Sequence, residues 1–600
     1  MLKAAAAVAL LAVCVYFSLI HSPSLTVIPS QLHKQYDYII VGAGSAGAVL
    51  ATRLSEDPTK SVLVLEAGID DTSLWYAHIP GYAVDLLQSV TDWQYRTEPQ
   101  TRVAQEVADK RVMWPRGKLL GGSSGVNHMV LNRAPPSDYD RWANLSGCGG
   151  WSFAELLPYF KKIENVPFSD DHEYRGHDGM LNVMQVPKVP LSQDVMNAAA
   201  RMGMNADGDY NSPDTHTGFH RLQHNIDVKS GTRQSTSNCY LRPAMKRQNL
   251  HVVVGAHVTK INFQKNEKTN KPVASSVEFR YAEDGRRYTI SAKREVVVSA
   301  GAINSPQLLQ LSGIGNREHL KKLAIPVVKH LPAVGENLRD HLCVFQSYSL
   351  NDSAAVDQLN RVHWYQKVLE LIEYAIFRTG PLVSLNILLI AHETTGLLPD
   401  NYSSDIQHLL IGDASFHPSS SHIFNFTPKA QSSMVRPSKR PVVLTETTIH
   451  HPRSVGYVRL RSRDPLEHPI IEPNYLQEPI DKALFLSGLR TQQALYSDPE
   501  LRNKYELELL DVCGDTEHAS TEYLECLIER RAVTLYHPHG TCTMGDDETT
   551  SVVDNKLRVH GVDALRVVDI SVTPDTIGAN TNVPAMVIGE RAADIIKNAQ

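Results

Sequence analysis

The first clear pattern along the chain is a pair of short apolar runs separated by a glycine-rich turn and an amphipathic segment. The apolar run 39–41 leads directly into residues 42–47, which have the spacing GxGxxG, and an apolar helical pattern follows over 48–54. A second apolar run over 61–65 ends at Glu66. The order of these segments predicts a βαβ unit with a carboxylate at the end of its second strand.

This unit predicts a dinucleotide site. Glycine permits a tight turn and lets a pyrophosphate approach the backbone, and the following helix presents free N–H groups and a positive dipole end. The alternative, an ordinary turn in a parallel sheet, leaves Glu66 unexplained, whereas a carboxylate there can accept hydrogen bonds from ribose hydroxyls. These residues do not identify the dinucleotide. We assign to the site Gly42, Gly44, Ser45, Ala46, Gly47, Glu66 and Ala67.

Further strand and helix patterns follow this unit. The run 296–300 predicts a buried strand, after which Pro306 is expected to open an amphipathic helix. Strands are predicted over 251–254 and 258–261, and the charged run 265–271 is expected to be a solvated hairpin loop.

Between these regions, residues 114–129 are rich in glycine and serine but also carry several large apolar side chains. A flexible linker exposed to water would not contain so many apolar residues. We therefore expect a loop whose backbone donors face a ligand.

The region from 346 to 440 is more varied. It contains a helix candidate over 364–377, a serine-rich loop at 419–421 and a strand candidate over 405–411. Together with a strand predicted over 442–445, it is interpreted as the cap or substrate domain, with its own sheet.

Two patterns near the carboxyl end are informative. The run 565–569 predicts a strand that ends in the carboxylate of Asp569. Pro584 is expected in the first turn of a helix over 585–597, whose amino terminus would present positive potential to the residues before it.

Length and composition limit the kinds of protein to consider. Six hundred residues exceed what one core usually organises, so at least two domains are expected. A net charge of −6 gives no reason to expect a nucleic-acid partner.

The first residues have the pattern of a segment that directs a protein to a membrane or out of the cell. Lys3 is followed by an apolar stretch over 4–20, typical of a secretory signal peptide within residues 1–22, which predicts a secreted protein. The stretch is close to the length that spans a bilayer, so an uncleaved anchor is the alternative, and membrane contact is expected only in that case. Export would make four residues candidate glycan acceptors, Asn144, Asn351, Asn401 and Asn425.

The cysteines do not predict a metal site. Six of the seven lie beyond the targeting segment, and none is arranged in the paired Cys-x-x-Cys pattern of zinc sites. Cys513 and Cys526 are close enough in sequence to bridge a local loop.

Four ordered blocks resemble the glucose–methanol–choline family of flavoprotein oxidoreductases, and the likeness extends from about 36 to 596. They are the glycine fingerprint with Glu66, the loop 116–127, the segment 301–315, and the pair His537-Pro538 with Asn580-Thr581-Asn582. The run 334–338 and the pair Asp340-His341 also match a stretch of the family. Within the family the chain is most similar to the animal alcohol dehydrogenases of the choline- and glucose-dehydrogenase type.

The resemblance implies a fold class and an order of domains. A mixed α/β fold is expected, with a Rossmann-like FAD-binding domain interleaved with a substrate-binding domain built on an antiparallel sheet with helices. The segments are a mainly FAD-binding region over 34–345, a cap segment over 346–440, a substrate-binding region over 441–535, and a catalytic and FAD-contacting segment over 536–600.

The resemblance also implies a chemistry. It implies FAD as cofactor and oxidation of an alcohol CH–OH to a carbonyl, with hydride passing to flavin N5. His537 corresponds to the general base and Asn580 to the position that orients the alcohol. A base with a pKa near neutrality suits this task, because hydride leaves carbon readily only as the hydroxyl loses its proton. The further cofactor contacts carried over are Ser123, Asn127, Met129, Val130, Val258, Asp569, Asn580, Asn582 and Val583.

One departure from the family pattern concerns how FAD is held. Some members attach FAD covalently through a histidine just before the loop asparagine, and Val126 occupies that position in this chain. Valine cannot form the link, so non-covalent FAD is expected.

Several functional alternatives stay open at the level of sequence. The leading interpretation is a dehydrogenase that passes electrons to a quinone-like or other acceptor, and a related one is an oxidase that reduces O2 to hydrogen peroxide. A lyase-type enzyme or a catalytically silent flavoprotein on the same scaffold would be a different class of function. The specific alcohol is not encoded in any recognisable motif.

Overall fold

The computed structural model describes residues 24–351, 364–412, 424–434, 442–510, 512–514, 517–518 and 520–599. The predicted signal segment 1–22 and the serine-rich loop 419–421 lie outside these ranges. Within the described ranges, none of the helices has both the length and the apolar character needed to cross a bilayer.

Two seven-stranded sheets and a set of helices form the described structure. Their strands, in chain order, are β1 Gln35–Val41, β2 Val62–Leu65, β3 Gly218–Arg221, β4 Leu250–Val253, β5 Ala256–Lys265, β6 Pro272–Tyr281, β7 Arg287–Val298, β8 Leu342–Ser349, β9 Ile387–Glu393, β10 Ile406–Gly412, β11 Val442–Ile449, β12 Glu508–Leu509, β13 Val533–Thr534 and β14 Leu565–Val567.

The α-helices flank these sheets. In chain order they are α1 Ser45–Leu54, α2 Pro136–Ala143, α3 Phe153–Ile163, α4 Pro190–Arg201, α5 Arg242–Ala244, α6 Gly301–Leu311, α7 Arg317–Lys322, α8 Trp364–Phe377, α9 Pro428–Met434, α10 Pro479–Tyr496, α11 Pro499–Tyr505, α12 Thr521–Arg531 and α13 Asn582–Asn598.

Short two-stranded ladders complete the described strands. They pair Tyr95–Arg96 with Met113–Trp114, Glu164–Asn165 with Leu181–Asn182, Met184–Gln185 with Gln223–His224, Ile226–Asp227 with Thr232–Arg233, Ile314–Gly315 with Lys329–His330, and Tyr457–Arg459 with Ile470–Glu472.

The first sheet has the order β4-β2-β1-β7-β6-β5, and β14 pairs with β7. Its central strands are parallel: Ile40 of β1 is the Cα partner of Val64 in β2 and of Val297 in β7. All three side chains are fully buried, which explains why these strands are continuous apolar runs in the sequence. The predicted βαβ unit is confirmed as β1, α1 and β2.

The second sheet is antiparallel and has the order β12-β8-β11-β10-β9-β3, with β13 also paired to β8. Its strands come from widely separated parts of the chain. The strand β3 precedes five of the seven strands of the first sheet, and β13 follows the helix α12. The predicted fold class, a Rossmann-like unit interleaved with an antiparallel sheet, is therefore confirmed.

The helix predicted to open at Pro306 begins earlier, at Gly301. Pro306 lies inside α6, where its missing N–H leaves the carbonyl oxygen of Ala302 without its helical partner. The hydroxyl of Thr541 donates a 2.6 Å hydrogen bond to that oxygen. The helix tolerates the proline because a distant residue supplies the missing donor.

Other local predictions agree with the structure apart from their ends. The helix predicted from Ala585 begins at Asn582, with Pro584 in its first turn as expected. The helix predicted over 364–377 is α8, and the charged run 265–271 connects β5 to β6. Cys513 and Cys526 form a disulfide, as their proximity in the sequence suggested.

Candidate active site

A large cavity lies between the carboxyl ends of the first sheet and one face of the second sheet. It extends from Glu66, at the end of β2, to His537 and Asn580. Its empty space is about 2150 Å³, part of it open to solvent. Because its lining runs from the end of β2 to His537 and Asn580, the cavity has room for a long cofactor with a substrate beside it.

The glycine fingerprint shapes the end of the cavity near β1. Gly42 has φ +100°, and a Cβ there would lie 2.4 Å from the carbonyl oxygen of Ser299. A Cβ at Gly47 would lie 2.1 Å from the carbonyl oxygen of Gly42. Gly44 is different, because a Cβ there would meet only the Cα of Gly122, at 3.9 Å, and would project into the cavity. The first and third glycines thus permit close packing, and the second keeps space for a ligand.

Glu66 is held rigidly beside this turn. Its side chain is 5 % exposed, and its two oxygens accept hydrogen bonds from the backbone N–H of Ala43, at 2.9 Å, and of Gly68, at 2.8 Å. Burial raises the pKa of the carboxyl, and the two backbone donors oppose that effect. The carboxyl lies in the cavity wall, as the predicted ribose contact requires.

Two helix amino termini also reach the cavity wall. Ser45, the first residue of α1, donates a 2.7 Å hydrogen bond from its hydroxyl to the side-chain oxygen of Asn582, the first residue of α13. Both residues line the cavity, so two positive dipole ends point to the same region. Such an arrangement favours a negatively charged group there.

Asp569 lies at the amino-terminal end of α6. Its side chain accepts hydrogen bonds from the backbone N–H of Gly301, at 2.9 Å, and from the hydroxyl of Ser305, at 2.5 Å. The carboxyl therefore fixes the start of α6 against the strand end that carries Asp569, and it lies in the cavity wall.

The structure brings nearly all of the predicted site residues to this one cavity. Gly47 and Val583 are the exceptions: Gly47 packs inside the glycine turn, and Val583 is buried in the core of the first sheet. The predicted residues that line the cavity are Gly42, Gly44, Ser45, Ala46, Glu66, Ala67, Ser123, Asn127, Met129, Val130, Val258, His537, Asp569, Asn580 and Asn582.

His537 and Asn580 form a pair at the opposite end. Nε2 of His537 lies 3.2 Å from the side-chain nitrogen of Asn580, and Nδ1 lies 3.0 Å from Nδ1 of His341. An amide nitrogen can only donate, so Nε2 accepts and the proton of the neutral ring is on Nδ1. His537 thus presents an unprotonated nitrogen beside Asn580.

The backbone around His537 is firmly held. Its N–H donates a 2.9 Å hydrogen bond to Asp340, which also accepts a hydrogen bond from the hydroxyl of Tyr475. Burial lowers the pKa of His537 well below its usual value, and the nearby guanidinium of Arg116 lowers it further. Both effects keep the imidazole neutral, the form in which it can accept a proton.

Sequence reasoning assigned no role to several residues that build this end of the site. His341 orients His537, and Asp340 holds its backbone; both belong to a stretch that resembles the family, which was the available signal. Glu446 also lines the cavity but is contributed by β11, and no local pattern marked it.

Comparison with known proteins agrees with this geometry. Two family profiles described as GMC oxidoreductase match the chain, the amino-terminal one over residues 36–343 and the carboxy-terminal one over 452–589. The chain belongs to the GMC oxidoreductase family. It is an oxidoreductase, and the predicted cofactor, FAD, is confirmed by this membership.

The sequences of several family members align with nearly the whole chain. Mitochondrial choline dehydrogenase of Mus musculus is 36% identical over 94% of this chain and 89% of its own length. Glucose dehydrogenase [FAD, quinone] of Drosophila pseudoobscura pseudoobscura is 33% identical over 95% of this chain and 88% of its own length. Among solved structures, pyridoxine 4-oxidase from Mesorbium loti superposes with a TM-score of 0.77 at 27% identity, covering 94% of this chain and 99% of that one.

Proposed function

We propose that this GMC oxidoreductase oxidises the CH–OH group of a small-molecule alcohol or sugar to a carbonyl. The observation that carries the proposal is the His537–Asn580 pair, with its ring and amide nitrogens 3.2 Å apart in the wall of the cofactor cavity. Bound FAD supplies the acceptor for the hydride that leaves the carbinol carbon.

The roles of the chain's own groups follow from their positions. Nε2 of His537 takes the hydroxyl proton, and its low pKa keeps that nitrogen free to do so. The amide of Asn580 has a second N–H with which to hold the alkoxide-like oxygen, and as a neutral group it does not compete for the proton. The amino terminus of α13, at Asn582, offers positive potential to negative charge on the cofactor.

We propose a quinone-like or other electron acceptor, since one of the related proteins is named for FAD and quinone. The alternative is an oxidase that reduces O2 to peroxide. The similarity to the solved structure of pyridoxine 4-oxidase supports this alternative. The ratio of peroxide formed to dye reduced, measured with one alcohol panel, separates the two.

An anaerobic absorbance scan tests the reaction itself. Purified protein mixed with choline, glucose, and short and aromatic alcohols should show loss of the oxidised flavin bands with at least one of them. Bound FAD that no alcohol reduces would contradict the proposal and favour a silent flavoprotein, and flavin-dependent turnover without net reduction would favour a lyase-type enzyme.

We also propose that FAD is held without a covalent bond. Val126, in the family position of the linking histidine, lines the cavity and has no nucleophilic atom. Acid denaturation should therefore release all of the yellow colour into the supernatant. Colour that stays with the precipitated chain would contradict this.

Export of the protein is our further proposal. The apolar segment 4–20 supports it, as does the Cys513–Cys526 disulfide, because such bonds persist mainly in oxidising compartments. Of the four candidate glycan acceptors, Asn144 and Asn401 are exposed, whereas the amide of Asn425 donates to the backbone of Ala108. Secreted protein that shifts in mass on glycosidase treatment is the expected result, and cytosolic retention would contradict it.

A further inference from the structure

A buried arginine lies behind the glycine- and serine-rich loop of the cofactor cavity and has no role in the chemistry proposed above. Among the described residues, three arginines are at most 1 % exposed, Arg133, Arg175 and Arg233. Arg133 and Arg175 both pair with the carboxylate of Glu164. Arg233 forms no ion pair with any described carboxylate, and its Nε and Nη2 atoms have no hydrogen-bond partner among the described residues. Arg233 thus differs from the other two because no acidic side chain balances its charge.

A buried guanidinium without a carboxylate is unfavourable, because burial removes the water that would stabilise its charge. Burial lowers the pKa of Arg233 to about 9, and no acidic side chain raises it again. The group still carries its charge at neutral pH. An apolar side chain of similar length would avoid this cost, so the charge is best explained by a negative group that the chain itself does not supply.

The contacts of the guanidinium show where such a group would lie. Nη1 of Arg233 donates hydrogen bonds to the backbone oxygen of Asn127 at 2.6 Å, to its side-chain oxygen at 3.0 Å, and to the backbone oxygen of Ser124 at 3.3 Å. The backbone N–H of Met129 donates to the same side-chain oxygen of Asn127, at 3.1 Å. Both donors take the oxygen of this amide, so its nitrogen is the end left for a ligand in the cavity that Asn127 lines.

The charge of Arg233 also acts on the cavity wall directly. His128, the residue after Asn127, lines the cavity. Burial lowers the pKa of His128 to about 4, and the charge of Arg233 contributes to the lowering. A charge acts over a longer distance where protein replaces water, so a ligand beside Asn127 lies within the field of this guanidinium.

Hydride transfer to the neutral flavin ring adds one negative charge to it. A fixed positive charge nearby stabilises the reduced ring more than the oxidised one. We propose that Arg233 is a positioning residue that raises the reduction potential of bound FAD, through its unbalanced charge and through the amide of Asn127, which it turns toward the cofactor. This rests on FAD lying against Asn127, as the proposed function requires.

The experiment is a redox titration of the holoenzyme with a chemical reductant and a reference dye, which needs no alcohol. Wild type is compared with R233K, which keeps the charge, R233Q, which keeps a hydrogen-bond donor without the charge, and R233M, which keeps neither. In R233Q and R233M the equilibrium constant for two-electron reduction should fall tenfold or more, a shift of about 30 mV to more negative potential. R233K should change it less than threefold.

The matched control is K229Q, which removes the same formal charge from the exposed turn of the same hairpin, between Ile226–Asp227 and Thr232–Arg233. Water and salt screen a charge at that position, so the equilibrium constant should change less than twofold.

The FAD content of each variant is measured first. Thr236 also supports the loop, because its N–H donates a 3.0 Å hydrogen bond to the hydroxyl oxygen of Ser124, so we expect the variants to keep FAD. If the uncharged variants lose it, the dissociation constants of oxidised and reduced FAD are measured instead. The proposal then requires binding of reduced FAD to weaken at least tenfold more than binding of oxidised FAD.

Two results would overturn the inference. One is a potential of R233Q equal to that of the wild type, or equal weakening of the two forms of FAD. The other is a shift in R233K as large as that in R233Q, which would make the shape of the guanidinium, and not its charge, responsible. If no alcohol reduces the flavin but the potentials differ as expected, the proposed reaction fails and the role of Arg233 stands.

Discussion

Nδ1 of His341 and Nδ1 of His537 lie 3.0 Å apart, so one hydrogen bond, with a single proton, joins the two nitrogen atoms. Because Nε2 of His537 accepts from Asn580, His537 donates from Nδ1 and His341 accepts. His341 therefore acts on the alcohol only through His537, by fixing the tautomer and orientation of that ring.

Replacing His341 with phenylalanine should slow flavin reduction about tenfold or more, yet less than loss of the base itself, because the ring of His537 loses its orienting acceptor. Rapid-mixing measurements under anaerobic conditions check this. The FAD content should not change, and a rate equal to that of the wild type would show that the contact has no functional role.

His537→Ala removes the proposed base. The rate of flavin reduction should fall by roughly 10²–10⁴-fold, the usual contribution of general base catalysis. Absorbance of the purified variant serves as the control, because the cofactor site near β1 is left intact and FAD should stay bound. An unchanged rate would mean that another group accepts the hydroxyl proton.

Gly44→Val should abolish FAD binding. A side chain at Gly44 projects into the cavity between α1 and Gly122, in the space assigned to the cofactor. Gly149 has open space around it and lies on the surface, so Gly149→Val is the matched control and should remain yellow. A flavin-bound Gly44→Val protein would refute this placement of the cofactor.

Thr541→Val tests the donor that supports α6. The substitution keeps the shape of the side chain but leaves the buried carbonyl of Ala302 unpaired, which costs about 1–3 kcal/mol of unfolding free energy. Chemical denaturation monitored by circular dichroism measures the loss. Valine at the exposed Thr269 should change stability by less than half as much, and equal effects would argue against a special role for Thr541.

The reaction with an uncharged alcohol should not lose rate as the pH falls from 8 to 6.5. Burial and the charge of Arg116 lower the pKa of His537 well below 6.5, so the ring stays unprotonated over this range and gains its proton only at lower pH. Stopped-flow reduction rates across the pH range provide the measurement. A rate that halves near pH 7 would contradict this assignment.

Local patterns predicted the parts of this protein that are built locally. The spacing of Gly42, Gly44 and Gly47 with Glu66 depends on one turn and one crossover, so it is visible in sequence. The start of α6 was not predicted correctly. The hydrogen-bond donor to the carbonyl oxygen of Ala302 is Thr541, which lies far along the chain.

The same reason explains the missed residues of the site. Glu446 reaches the cavity from β11, and His341 reaches His537 from the position just before β8. Nothing in their immediate neighbours encodes the pairing of β8 with β11 that brings them to this end of the site. The wall of the substrate end depends on strand pairing between distant segments, whereas the cofactor end depends on a continuous motif.

The strand β14 and the helix α13, which bring Asp569 and Asn582 to the cavity, follow all the other strands of both sheets in the chain and are synthesised after them. The parallel pairing of β14 with β7 can form only after synthesis has passed both sheets. A nascent chain therefore has no finished pocket for FAD. If the protein is translocated as an extended polypeptide, the flavin has to be supplied in the compartment where folding is completed.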